Sequence, residues 1–317
     1  MTLQNIATLN DIERAYQLIQ SYVHKTPVLK SELINKLLGC SVQFKCENFQ
    51  KVGAFKYRGA THAILRLSDA EKSNGVTTHS SGNHAGALAK AASLQGIDAY
   101  IVMPKNAPKV KVEAVKSYGG IITFCEPTLE ARETTLKKVQ EETGATFIHP
   151  YDNFNVICGQ GTACLELYDQ VAEPDYVFAP VGGGGLLSGT SIVAKSIWQN
   201  TKVIAGEPKN ADDAYQSFNT HELVPAVHPN SIADGLLTSL SDLTFGIIQK
   251  YVDEIITVSE EEIIEAMKLV YQYLKIVIEP SSAVPFAAVI KNKARFQNKS
   301  IVIIVSGGNV DLAQLPF

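Results

Sequence analysis

The chain has 317 residues, is 45% hydrophobic and 19% charged, and carries a formal net charge of −4 with its Lys and Arg spread along it. That length and apolar content can bury a substantial core in one large domain or two ordinary ones, and without a basic cluster there is no electrostatic footprint for nucleic acid or an anionic membrane. Five scattered cysteines (Cys40, Cys46, Cys125, Cys158, Cys164) show neither Cys-x-x-Cys nor zinc spacing, so free thiols in a reducing compartment, the cytoplasm, are expected. No signal-peptide block or bilayer-length apolar run is found, and neither export nor anchoring is expected.

In chain order, periodicity predicts a helix over residues 9–22, a strand over 42–46 and a helix over 55–67. From Gly75 onward, short β-branched runs alternate with longer periodic segments, as in βαβ units over a parallel sheet. Strands are predicted over 76–79, 99–103, 121–124 and 146–148, with helices over 85–95, 109–118 and 129–142 between them. A second series places strands near 176–179, 202–205, 254–258 and 301–305 and helices near 186–198 and 260–274, forming a second sheet. The fold class is α/β.

Gly182-Gly183-Gly184-Gly185 follows one predicted strand and opens a helix. Residues without Cβ let backbone N–H groups converge on an anion, and the helix N-terminus adds partial positive charge, so a phosphate is the natural guest. The alternative is a tight turn needing positive φ. A dinucleotide would also place glycines after a strand, but Leu187 occupies the third glycine position of G-x-G-x-x-G. Glu207 lies where a ribose-binding carboxylate would sit, which keeps a nicotinamide site open. Lys56, between Phe55 and Tyr57, reads by itself as a solvated lysine. Ser80-Ser81-Gly82-Asn83-His84 follows a strand and precedes a helix, so capping by Ser81 or Asn83 is the plain reading. Ser306-Gly307-Gly308-Asn309 repeats that arrangement after the strand at 301–305. In open α/β sheets such loops gather at the carboxyl ends of strands, where ligands bind.

Taken together, these segments resemble the fold-type II pyridoxal-phosphate (PLP) enzymes over essentially the whole chain, specifically the serine/threonine dehydratase and serine racemase family. The resemblance implies a tryptophan synthase β-like fold of two domains: residues 76–148 inserted into a larger domain of 1–75 and 149–317, with the cofactor in the cleft. It makes Lys56, after Phe55, the lysine that carries PLP as a Schiff base, Ser81-Gly82-Asn83-His84 the ring loop and Gly182 to Gly185 the phosphate loop. Asn83 would contact the ring's phenolic oxygen and Ser306 the pyridine nitrogen. A neutral Ser306 partner leaves that nitrogen unprotonated and the ring a weaker electron sink, so β-elimination competes well. Freed Lys56 can then remove the Cα proton, with a pKa lowered by burial. Ser81 matches the racemase serine that works the opposite face.

Glu207, the carbonyl of Ala211 and Asp213 read as a solvated acidic loop, yet resemble the family's divalent-cation site, with oxygen ligands suited to Mg2+, Ca2+ or Mn2+. Ala54 departs from the family's common serine toward threo-3-hydroxyaspartate ammonia-lyases. Thr238 stands where racemases have a serine near substrate, and Arg132 aligns with an arginine that can pair a β-carboxylate. Ser80 and His84 complete the implied substrate contacts. The chain ends soon after Ser306, so no appended regulatory domain is expected. The preferred activity is a serine/threonine ammonia-lyase acting on a small hydroxy amino acid, as a homodimer. Serine racemase and threo-3-hydroxyaspartate ammonia-lyase are close alternatives, with a nicotinamide oxidoreductase and a non-catalytic phosphate-binding module as distant ones.

Overall fold

The computed structural model describes residues 6–80, 82–107 and 109–317. Helix α1 (Leu9–Ile19) starts at a capping box between Thr8 and Asp11. The hairpin-like pair β1 (Val28–Lys30) and β2 (Ser41–Cys46) flanks α2 (Glu32–Leu38), which ends on left-handed Gly39. Next come α3 (Lys56–Leu65) and α4 (Asp69–Asn74). The chain then builds β3 (Val76–His79), α5 (Asn83–Ser93), β4 (Ala99–Pro104), α6 (Lys109–Ser117), β5 (Ile121–Cys125), α7 (Leu129–Thr143) and β6 (Thr146–Phe147). After α8 (Phe154–Leu165) follow β7 (Tyr176–Pro180), α9 (Gly185–Ile197), β8 (Lys202–Pro208), α10 (Asp213–Thr220) and α11 (Asp242–Tyr251). The last elements are β9 (Glu254–Val258), α12 (Glu260–Tyr273), α13 (Pro280–Lys291) and β10 (Ser300–Val305).

Among the described residues these strands form two sheets, ordered β1-β2-β10-β7-β8-β9 and β5-β4-β3-β6. Every pairing is parallel except β1 with β2. Strands such as Ser300–Val305 are near-continuous apolar runs because a parallel sheet is covered on both faces. One core lies between the larger sheet and α12 and α13, and another between its opposite face and α8, α9 and α11. A third packs α3 and α5 beneath the smaller sheet.

The predicted strands and helices are present with shifted ends. The 202–205 strand runs on to Pro208, and the helix predicted to reach Tyr22 stops at Ile19. Two helices central to the packing are absent from the sequence reading. In α8 the glycines lower helix propensity, but a Cβ on Gly159 would stand 2.6 Å from Gly59 Cα, so α3 and α8 touch backbone to backbone. In α13, Pro280 and Pro285 read as breakers, although Pro280 occupies the first turn, where its missing N–H costs nothing.

Candidate active site

The larger sheet sends the residues after β2, β7 and β10 to its carboxyl edge, and the smaller sheet brings the loop after β3 to meet them. Lys56 opens α3, whose start is locked from below by charge. Arg58 is fully buried, with its Nε 2.7 Å from Glu47 Oε2 and Nη1 2.8 Å from Glu166 Oε1. Lys45, also fully buried, bonds Glu166 and the Thr26 carbonyl. Two cations thus face two carboxylates, the balance a buried cluster needs. Lys56 Nζ donates to Pro150 O at 2.8 Å. Burial pushes its amine down to about 8, against the opposing pull of the Glu279 carboxylate.

The glycine loop is buried from Gly182 through Gly185. Among the described residues, no protein acceptor is bonded by the backbone N–H groups from Gly182 to Leu187 at the head of α9. Six unpartnered donors around a helix N-terminus fit an anion such as phosphate. The glycines also answer to packing. A Cβ on Gly183 would fall inside the Tyr151 ring, one on Gly182 would stand 2.7 Å from Leu236 Cα, and Gly184 has φ +84°. The turn reading is thus met at Gly184, and it leaves room for the phosphate reading beside it.

Ser306, 2% exposed, lies 2.9 Å from Ser282 Oγ. Ser282 Oγ also accepts from Gly307 N and reaches Gly307 O, each at 2.7 Å. Gly307 O also accepts from Glu279 N at 3.1 Å, so it takes both bonds, and either hydroxyl can be the donor across the Ser282–Ser306 contact. The Ser306 hydroxyl can turn from Ser282 to donate to an unprotonated ring nitrogen.

The capping reading of Asn83 is corrected: α5 begins at Asn83, with Gly82 as its N-cap and no side-chain cap. The Asn83 amide nitrogen instead lies 2.9 Å from both oxygens of Glu279, and its oxygen accepts from Asn309 Nδ2 at 2.8 Å. Ser81 lies outside the described residues. Ser80 Oγ accepts from Gly82 N at 3.3 Å. His84 is buried and donates Nε2–H to Ile148 O at 3.0 Å, and burial pushes its imidazole down to about 3, leaving a neutral ring with an unpartnered Nδ1.

Arg132 has a buried Nε without a partner, and its charge, after burial, helps lower the pKa of His79 at the end of β3. His79, Phe147, His149 and Tyr151 form one aromatic row there, with His149 and Tyr151 centroids 4.6 Å apart. Burial raises the Tyr151 phenol, which a hydrogen bond with Thr238 opposes. Beside Asn83 and Asn309, a cavity of about 530 Å³ opens between α6 and residues 308–316, spanned by the Lys111–Asp234 ion pair.

Glu207 is not exposed to a ribose. It is 1% exposed and accepts from Ala214 N at 2.9 Å and Tyr215 N at 2.7 Å. Asp213, 4% exposed, is likewise withdrawn from solvent, and among the described residues neither of its carboxylate oxygens has a hydrogen-bond partner. Burial raises Glu207 well above the ordinary carboxylate range and Asp213 to about 7. Carboxylates this short of compensation fit a hard cation.

A parallel α/β fold that brings a lysine of lowered pKa, a buried glycine-headed helix and a buried serine to the carboxyl ends of its strands suits a PLP-type cofactor. The chain belongs to the pyridoxal-phosphate dependent enzyme family, which it matches over residues 19–307. It is 49% identical over 312 residues to a beta-hydroxyaspartate dehydratase of Paracoccus denitrificans, covering 98% of this chain and 99% of that one. The solved serine racemase of Dictyostelium discoideum is 51% identical, with TM-score 0.92 over 97% of this chain and 100% of its own. A solved threonine deaminase from T.th. is 41% identical, with TM-score 0.93 over 97% of this chain and 100% of its own. The family match sets aside the nicotinamide and non-catalytic readings.

Sequence reasoning missed Glu279, Ser282, His79, His149 and Tyr151. A Glu279-Pro280 step before an apolar run is a helix-start signal that could have exposed the first two. The aromatic row has no local signature.

Proposed function

We propose that this chain is a PLP-dependent ammonia-lyase for small β-hydroxy amino acids such as L-serine and L-threonine, giving a 2-keto acid and ammonia. The observation that carries this reading is the Lys56 amine, lowered to about 8 by burial and bonded to Pro150 O at the head of α3, on the strand ends where the glycine loop and Ser306 also lie. PLP, when bound, supplies the electron sink for a carbanion at Cα. The protein's own groups do the rest. The N–H groups of residues 182–187 bind the phosphate, Asn83 donates to the phenolic oxygen and Ser306 to the pyridine nitrogen. Lys56 Nζ removes the Cα proton, which an amine near neutral pKa does efficiently. Closure of residues 76–148 on the rest excludes water. Glu207, Asp213 and the Ala211 carbonyl hold Mg2+ or a similar cation as a structural brace. The protein works as a cytoplasmic homodimer.

A second reading, L-threo-3-hydroxyaspartate as substrate, is favoured by the unpartnered Nε of Arg132, which could serve a β-carboxylate, and by the dehydratase likeness. Racemisation through Ser81 is supported by the serine racemase relatives. Keto-acid release from the three amino acids, beside chiral analysis of serine, tests these readings. Lys56→Ala should lose both the visible cofactor band and all elimination. Full activity in that variant would sink the mechanism.

A further inference from the structure

Glu279 is a buried carboxylate at the junction of the cofactor loops, and nothing in the elimination chemistry above uses it. It stands at the N-cap of α13 without capping that helix. Its carboxylate reaches forward to Asn83, the first residue of α5, and so bonds an element of the smaller sheet from one beneath the larger sheet. The backbone of Asn309, in the loop that follows Ser306, lies close enough to favour its charge. A Cβ on Gly307 would stand 2.8 Å from Glu279 Oε1, so the carboxylate and the Ser306 loop are in close contact.

These bonds fix which way each carboxamide points. Val52 O is an acceptor only, so the atom facing it at 2.8 Å is the Asn309 amide nitrogen. The same nitrogen lies 2.8 Å from Asn83, whose facing atom must therefore be its oxygen. Asn83 then turns its nitrogen to Glu279, which satisfies one N–H and leaves the other to donate. An unanchored carboxamide could flip and present its carbonyl to the ring oxygen, which would be repulsive. The groups facing Glu279 are Lys56 and Lys111, which favour its charge, and Asp234, which opposes it.

We propose that Glu279 is a positioning residue for the cofactor. It holds Asn83 with its amide N–H, and never its carbonyl, directed at the oxygen substituent of the PLP ring, and it ties the ring loop to the Ser306 loop across the two sheets. Burial raises Glu279 to about 7, in keeping with a carboxylate retained for its partners rather than for solvation.

The inference rests on the PLP reading, and the test separates the two. Wild type, E279A, E279Q, N83A and N83A/E279A are purified and titrated with PLP, recording the visible absorbance band and the affinity. Wild type lacking any cofactor band would overturn the functional reading itself. Given that band, E279A should shift it and weaken PLP binding about tenfold, the usual worth of a hydrogen bond to a charged group. N83A should do the same, and the double variant should be no worse than N83A. E279Q keeps the shape and one acceptor, so it should show a smaller effect, again absent beside N83A, and it carries the test should E279A fail to fold. An unshifted band in both Glu279 variants, or an effect that adds in full to that of N83A, would overturn the proposal.

Discussion

Ser282→Ala removes one buried hydroxyl that holds the Ser306 loop in place. Ser282 Oγ contacts Gly307 N at 2.7 Å, Gly307 O at 2.7 Å and Ser306 Oγ at 2.9 Å. After the change Gly307 O keeps its bond from Glu279 N, so the carbonyl stays satisfied. Gly307 N–H does not, and an orphaned buried donor costs about 1–3 kcal/mol. We expect urea unfolding of the cofactor-free protein to show a loss of about 2 kcal/mol, the middle of that range. Ser306 also loses the hydroxyl 2.9 Å away that orients its own toward the ring nitrogen. PLP affinity should fall by about three- to tenfold, roughly one neutral hydrogen bond. Ser306→Ala is the control, because it removes the ring partner while leaving Gly307 paired, so affinity should drop with little change in stability. If Ser282→Ala changes neither stability nor affinity, the hydrogen-bond argument is refuted. If stability alone falls, Ser282 supports the loop without orienting Ser306.

Chelation should lower the melting temperature of the wild type by a few degrees, because a cation held only by the folded state stabilises it by mass action, and Asp213→Asn should abolish that response. A melting temperature indifferent to both chelator and Mg2+ would leave Asp213 unpaired for another reason. Glu166→Ala strands Lys45 and Arg58 against Glu47 alone and should cost about 3–5 kcal/mol in denaturant unfolding, and a loss under about 1 kcal/mol would show that the cluster is not the lock beneath α3. Ser81→Ala should lose conversion of L-serine to D-serine while keeping ammonia release. Undiminished racemisation in that variant contradicts the two-face assignment.

Much of the cleft was legible because its chemistry is local in sequence. The glycine run, the loop around Lys56 and the Ser306 loop each follow a strand, and parallel sheets put such loops at one edge. What was illegible depended on contacts far apart in the chain. Glu279 meets Asn83 across 196 positions, and Arg58 meets Glu166 across 108. Periodicity carries no trace of either pairing. Helix α8 was hidden because Gly159 and Gly161 weaken helix propensity locally while permitting the backbone contacts that tertiary packing rewards. The burial of the Glu207 loop was illegible for a related reason: nothing in Glu207 to Asp213 announces that β8 carries it inward to 1% and 4% exposure at its two ends.

The buried charges divide in a way that points back to function. Lys45, Glu47, Arg58 and Glu166 are equal in sign and number and hydrogen-bonded to one another, so their burial is compensated by the protein itself. Glu207, Asp213 and Glu279 are not. Among the described residues Asp213 has no geometrically sound hydrogen bond, Glu207 has two backbone N–H groups, and Glu279 depends on an asparagine, backbone and distant lysines. Desolvation therefore raises all three, whereas Glu47 stays lowered because Arg58 outweighs its burial. A fold selected for stability alone would replace such carboxylates with apolar or amide side chains of similar size. Such uncompensated burial is what the two proposals above would complete: a cation at Glu207 and Asp213, and a cofactor ring positioned through Glu279.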